Sequence, residues 1–144
     1  MRNAIAAACE AEALSEVPVG ACLVDDSGHL LAVASNRTIT NSDPTAHAEI
    51  LALRAAADKL GNHRLTGLTM YSTVEPCVMC AGALVNARIS RLVFGAHDER
   101  FGAAESVFRL CDSAALNHRI EVVAGVLADE CRALMQEFFR ARRA

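Results

Sequence analysis

Hydrophobic positions change their period several times along the chain, and each change marks an expected element. From residue 3 to about 14 the sequence is rich in Ala with Glu interspersed. Ile5, Ala8, Cys9 and Leu14 recur there at helical spacing, which predicts a helix packed on a sheet. Val17 to Val24 is a β-branched and apolar run. Asp25-Asp26-Ser27-Gly28 carries strong turn chemistry, and Leu30-Leu31-Ala32-Val33 resumes the strand pattern, so the pair predicts an antiparallel hairpin. Pro18 and Gly20 mark the start of the first strand, where a glycine lets the backbone come close to a ligand. Asn36 and Arg37 then leave the sheet on a loop near the next helix start.

A second helix from about His47 carries Ile50, Leu51, Leu53, Ala57 and Leu60 on its apolar stripe. Asp43-Pro44-Thr45 reads as its cap and first turn, and Gly61-Asn62 as its C-cap. Leu68 to Val74 is a strand feeding directly into Glu75-Pro76 and a helix that continues to about Ala87. Ile89 to Ala96 is the next strand, and strand–helix–strand implies a parallel pair with a right-handed crossover. Phe101 to Cys111 reads as a loop passing into a short helix, and Ile120 to Val126 as a last strand. Leu127 to Arg143 is an amphipathic final helix that buries Leu134, Phe138 and Met135. The expected class is α/β: a mixed sheet that begins with a hairpin and continues by crossovers, with helices on both faces. The 144 residues suit one domain with its own core.

Composition narrows the setting. A hydrophobic content of 53% without low-complexity sequence argues against disorder. No apolar stretch approaches bilayer length, and the short run Ala4 to Ala8 is followed at once by Glu10 and Glu12, unlike a secretory signal. A cytoplasmic protein is expected. Its six cysteines are then thiols and not disulfides, with Cys9, Cys22, Cys111 and Cys131 as small core residues. A net charge of −3 lacks the general basic footprint of a nucleic-acid binder. Arg140, Arg142 and Arg143 nevertheless crowd the C-terminus, where they either form a local basic patch or complement the dipole of the final helix.

Two short stretches carry the chemistry: Thr45-Ala46-His47-Ala48-Glu49 and Val74-Glu75-Pro76-Cys77-Val78-Met79-Cys80. One imidazole and two thiols supply three ligands for a tetrahedral Zn²⁺, one ion per subunit, and a catalytic zinc site keeps its fourth position for water. Pro76 suits the first turn of a helix, so Cys77 and Cys80 fall three apart on one face of the opening turn, where the helix dipole also favours thiolate. Glu49 is not needed as a ligand and stands two residues from His47, placed to take a proton from water and pass it to a leaving group. H-x-E followed by P-C-x-x-C is the arrangement of zinc-dependent nucleobase deaminases, and His47, Glu49, Pro76, Cys77 and Cys80 fit every position of it. A Cys-x-x-Cys alone is often a redox pair or half of a structural zinc site. A structural site would bring a fourth Cys or His, and no second paired motif is present. Asn36, on its loop, either holds a base edge or sugar hydroxyl or simply turns the chain. His97 and Asp98 fall at the carboxyl end of a strand, where catalytic loops of such sheets gather.

Four segments extend the pattern: Glu16-Val17-Pro18-Val19-Gly20-Ala21, Asp43 to Ile50, Glu75 to Ala83, and Asn117-His118-Arg119. Together they resemble the bacterial tRNA-specific adenosine deaminases over nearly the whole chain. The resemblance implies a cytidine deaminase-like three-layer α/β/α fold with a mixed five-stranded sheet, a homodimer, and conversion of the wobble adenosine of a tRNA anticodon stem-loop to inosine, with tRNA-Arg (ACG) as the expected substrate. It implies His47, Cys77 and Cys80 as zinc ligands and Glu49 as proton shuttle. Asn36 then contacts the base, Ala48 offers it a backbone N–H, and Asp98 lies near the sugar. Phe139, Arg140, Arg142 and Arg143 match the final helix that approaches RNA. The chain departs from the family's pattern with His97 where Arg is frequent, Phe101 at a usually small polar position, and Glu105 where Gly is familiar. A carboxylate near RNA is unfavourable unless it turns away or pairs. A free-base deaminase such as a guanine deaminase would share the zinc chemistry and differ only in pocket and entrance. A zinc-stabilised binding protein without catalysis would leave Glu49 without a role.

Overall fold

Strands that are apolar on both faces must lie inside a sheet, and those that alternate must lie at its edges. Burial in a computed structural model of the chain, which describes residues 1–143, sorts them in this way. In chain order the elements are α1 (Arg2–Ala13), β1 (Gly20–Val24), β2 (Leu30–Ser35), α2 (Ala48–Leu60), β3 (Thr69–Val74), α3 (Val78–Asn86), β4 (Arg91–Ala96), β5 (Glu121–Ala124) and α4 (Ala128–Arg143). Strands β1 and β4 are buried along nearly their whole length, whereas β5 alternates exposed and half-buried. The sheet order is β2-β1-β3-β4-β5. Strand β1 runs antiparallel to both β2 and β3, and β3, β4 and β5 are mutually parallel, with Met70 opposite Leu92 and Leu92 opposite Val122. Helices α1 and α4 pack on one face, and α2, with α3 beside it, on the other. The three-layer α/β/α architecture and the mixed five-stranded sheet are as expected. Leu23, Met70, Leu84, Ile89, Leu92 and Phe94 are the large side chains of the core.

Helix α1 approaches the sheet unusually closely because its inner stripe is only alanine: Ala4, Ala7, Ala8 and Ala11. That stripe turns Cys9 outward, so Cys9 is exposed and is not the core residue expected; Cys22, Cys111 and Cys131 are buried. Gly20 completes the fit. A Cβ there would overlap the Ala4 carbonyl oxygen and lie 2.6 Å from the Ala8 nitrogen, so the close approach at this glycine is to a helix and not to a ligand. Gly20→Ala should therefore push α1 off the sheet and cost about 1–3 kcal/mol or more, read as a lower urea midpoint. An unchanged midpoint would mean that α1 does not hold this seat.

The structure corrects several boundaries. Pro18 has no N–H to give a ladder, and the first strand starts only at Gly20. Asp43 accepts from the backbone N–H and the hydroxyl of Thr45 in a local turn, so it does not cap a helix; α2 begins at Ala48 with His47 in the cap position. Gly61 does close α2, in the left-handed conformation at φ 63°. No short helix lies between Phe101 and Cys111. The segment is a series of turns because the amides of Ala104, Glu105 and Ser106 bond to the Glu75 carboxylate and not to one another. Ala103, Ala104 and Cys111 plug this segment into the core, so the crossover from β4 to β5 is made without a helix. In α4, Cys131 and Phe138 are buried while Leu134 and Met135 are half-buried. Among the described residues no helix is long and apolar enough to cross a membrane.

Candidate active site

Two helix N-termini on the same side of the sheet bring three ligand atoms together. His47 caps α2 and Cys77 caps α3, both with extended backbone, and Cys80 lies one turn into α3, fully buried. His47 Nδ1 stands 3.6 Å from Cys77 Sγ and 3.5 Å from Cys80 Sγ, and all three atoms fall within 4.8 Å of one another. The group is able to hold a metal ion. The neighbouring Cys80 thiol and the His47 ring hold the Cys77 thiol down to about 4. Cys80 is pushed up by Cys77 beside it and by burial. The hydrogen bond with Cys77 raises His47. The thiol pair thus gives up one proton readily and keeps the second until a cation replaces it.

Glu49 projects from the first turn of α2 into the same space and is almost fully buried. Burial raises its carboxyl above the ordinary carboxylate range, which makes it a stronger base when ionised. Its Oε2 lies 3.6 Å from Cys80 Sγ, and its Oε1 lies 3.2 Å from the Ser72 hydroxyl. Ser72 Oγ is also 2.7 Å from the Val74 carbonyl oxygen. A hydroxyl has one proton and two lone pairs. Ser72 can donate to Glu49 when that group is a carboxylate, or donate to Val74 and accept from Glu49 when it is an acid.

These residues line a cavity of about 370 Å³, walled by Val17, Val19, Val74, Phe101 and Met135, with Asn36, Thr38, Ala48 and Asp98 among its polar or backbone contacts. Val74, Asp98, Phe101 and Met135 are shared with a larger groove of about 1010 Å³. That groove runs along α4 past Arg132, Gln136, Phe139 and Arg143, with His97, Arg100 and Ser106 on the facing loop. The pocket therefore opens onto a trough that carries three arginines together with Asp98 and Glu99.

Most of the expected contact residues meet here. Asn36 is buried and lines the pocket, Ala48 lies on its floor with Glu49, and Asp98 stands where pocket and groove join. Phe139 and Arg143 line the groove, whereas Arg140 is exposed outside its lining. Arg142 turns the other way. It donates to the Ser15 carbonyl at 2.7 Å and sits 3.8 Å above the Phe138 ring, tying α4 to the end of α1. The unusual Glu105 pairs with the equally unusual His97, Oε2 to Nε2 at 2.9 Å, and the His97 ring packs edge-on against Phe94. Phe101, at 67% exposure, forms part of the pocket mouth.

Sequence reasoning passed over three residues. Ser72 looks like any polar residue within a strand. Glu16 and Glu75 are buried carboxylates at the edge of the site. Burial works against ionisation of both, but hydrogen bonds from Thr40, from the Ile39 backbone and from Thr38 hold Glu16 below the usual range. Those from Ser106, Glu105 and Asp98 do the same for Glu75. The available signal was a lone Glu set among residues that must be buried, Val-Pro-Val-Gly after Glu16 and Pro-Cys after Glu75.

The family model for MafB19-like deaminases matches residues 1–143. The tRNA-specific adenosine deaminase of Haemophilus influenzae is 52% identical over 143 residues, covering 99% of this chain and 83% of that protein. A solved structure from studies of A-to-I editing by tRNA:A34 deaminases at the wobble position of transfer RNA superposes with a TM-score of 0.89 at 42% identity. It covers 93% of this chain and 96% of that one. The guanine deaminase of Nitrosomonas europaea superposes at 0.81 with 29% identity, over 94% of this chain and 80% of that one. Matched along essentially its full described length by relatives of this kind, the chain belongs to the tRNA-specific adenosine deaminase family.

Proposed function

We propose that the chain converts adenosine to inosine at the wobble position of a tRNA anticodon, tRNA-Arg (ACG) being the expected substrate. The observation that carries this reading is that the pocket holding Glu49 opens onto the groove of Arg100, Arg132 and Arg143, a surface suited to phosphates beyond the base itself. An anticodon base is already unstacked and enters such a pocket without the cost of opening a duplex.

The donor set suits zinc. Tetrahedral coordination with the usual Zn–S and Zn–N lengths separates sulfur from nitrogen by about 3.6 Å, and His47 stands 3.6 and 3.5 Å from the two sulfurs. His47, Cys77 and Cys80 would hold the ion, which when bound lowers the pKa of water enough to supply a nucleophile at neutral pH. Glu49 accepts one proton of the attacking water and passes it to the ring nitrogen, then carries the second, from the new C6 hydroxyl, to the departing amine. Adenosine and water become inosine and ammonia, and no proton is lost. Ser72 satisfies Glu49 in either protonation state. The Ala48 N–H, one of the unbonded amides of a helix start, and Asn36 face the base, while Asp98 serves the sugar and Phe139, Arg140 and Arg143 the RNA strand.

Exposed Val78, at the start of α3, and exposed Val107 and Phe108, beyond β4, lie on segments joined by the Ala103 N–H to the Pro76 carbonyl. A second copy of the chain would cover them, in keeping with a homodimer. The guanine deaminase neighbour supports one other reading, a free-base enzyme. The deciding experiment incubates the zinc-loaded protein with an ACG anticodon tRNA and, separately, with guanine, adenosine and cytidine. Inosine at the wobble position without ammonia from the free compounds is expected. Ammonia from guanine with untouched tRNA would overturn the substrate.

A further inference from the structure

Two carboxylates near the pocket have no oxygen to spare for substrate. Glu75, immediately after β3, accepts the Asp98 N–H at 3.1 Å on Oε1, together with the Ser106 hydroxyl. Its Oε2 accepts the N–H groups of Ala104, Glu105 and Ser106 at 3.1, 2.8 and 2.9 Å. Glu16, just before β1, accepts the Thr40 N–H at 2.6 Å on one oxygen, and the Asn36 amide and Thr38 hydroxyl, each at 3.4 Å, on the other. Both are buried. The segment tied to Glu16 carries Asn36 and Thr38 on one lip of the pocket, and the segment tied to Glu75 carries Asp98 and Phe101 on the other.

We infer that Glu16 and Glu75 are a matched pair of positioning residues, each using a buried carboxylate as the template on which one lip of the substrate pocket is folded. The inference deepens the deaminase reading and rests on it for the identity of the substrate. The chemistry requires a carboxylate. Every donor aimed at these oxygens is an N–H or O–H, and a carboxylate is acceptor-only with about four lone-pair sites. Glutamine has the same shape but points an NH₂ at some of the same donors. Loops normally bond to water or to themselves; here the 98–106 segment spends four of its amides on one side chain and forms no helix. Gly102 fits the same template, since a Cβ there would overlap the Glu75 carboxyl carbon and lie 2.5 Å from the Asp98 carbonyl oxygen.

Hydrogen exchange of the zinc-loaded protein tests this without any RNA. Glu75→Gln should speed exchange of the amides in residues 98–106 about tenfold or more while leaving residues 36–40 at the parent rate, and Glu16→Gln should do the reverse. Both variants should keep one zinc per chain. On the substrate that the parent enzyme turns over, KM should rise with a smaller change in kcat, and Glu75→Asp, which keeps the charge, should recover part of the protection. If Glu75→Gln does not fold, Ser106→Ala removes the hydroxyl donor while keeping the backbone N–H, and should loosen the same segment alone. Parent exchange rates in both lips, or loss of protection spread evenly over the chain, would overturn the inference. Local loosening in a protein that edits no tRNA would leave it standing and refute only the substrate.

Discussion

Glu49→Ala is expected to abolish turnover while leaving the fold and the bound zinc in place. Removing a general acid–base group costs about 10²–10⁴ in rate, and the loss here should reach the upper end because Glu49 is the buried carboxylate beside the ligand atoms. Glu75 is engaged instead with the amides of the 98–106 segment. Glu49 is not needed to hold the ion, since the three ligand atoms come from His47, Cys77 and Cys80. The measurement is single-turnover inosine formation beside zinc content and melting temperature. Retained turnover would remove Glu49 from the proposed mechanism.

Cys77→Ala should fail in the other way, losing metal and activity together. The substitution removes the more acidic of the two thiols and leaves buried Cys80 with only His47 to complete a site. Two ligands rarely retain zinc against dialysis. Because the ion binds the folded chain and not the unfolded one, its loss should also lower the melting temperature, and excess zinc should not restore it. Metal analysis after dialysis against a weak chelator is the check, and one tightly held zinc per chain in the variant would exclude Cys77 as a ligand. Set side by side, the two substitutions separate the group that moves protons from the groups that hold the ion.

The parts legible in the sequence were those that depend on short spacing. His47 and Glu49 are two apart, Cys77 and Cys80 three apart, and a helix start turns each spacing into a direction. The hairpin of β1 and β2 and the parallel pairing of β3 with β4 followed equally well from the alternation of apolar runs and turns. Longer-range matters were not legible. The alanine stripe of α1 reveals its close seat only beside Gly20, so Cys9 was misread as core. The apolar residues between 101 and 111 suggested a helix because nothing local announces that their amides belong to a glutamate about 30 residues earlier. The sequence left the C-terminal arginines between a basic patch and the helix dipole, and helical geometry divides them, sending Arg143 to the groove and Arg142 to the Ser15 carbonyl.

The pairing of His97 with Glu105 limits how this enzyme can be altered. Either residue transplanted alone into a relative brings half of a contact: Glu105 by itself leaves a carboxylate without its partner, and His97 by itself loses the group that orients its ring. The stretch from His97 to Ser106 is therefore a cassette. Chimaeras that exchange it whole, with Glu75 as the common anchor, keep the pair and its support together, and those that cut between residues 97 and 105 inherit the defect of one half without the remedy of the other.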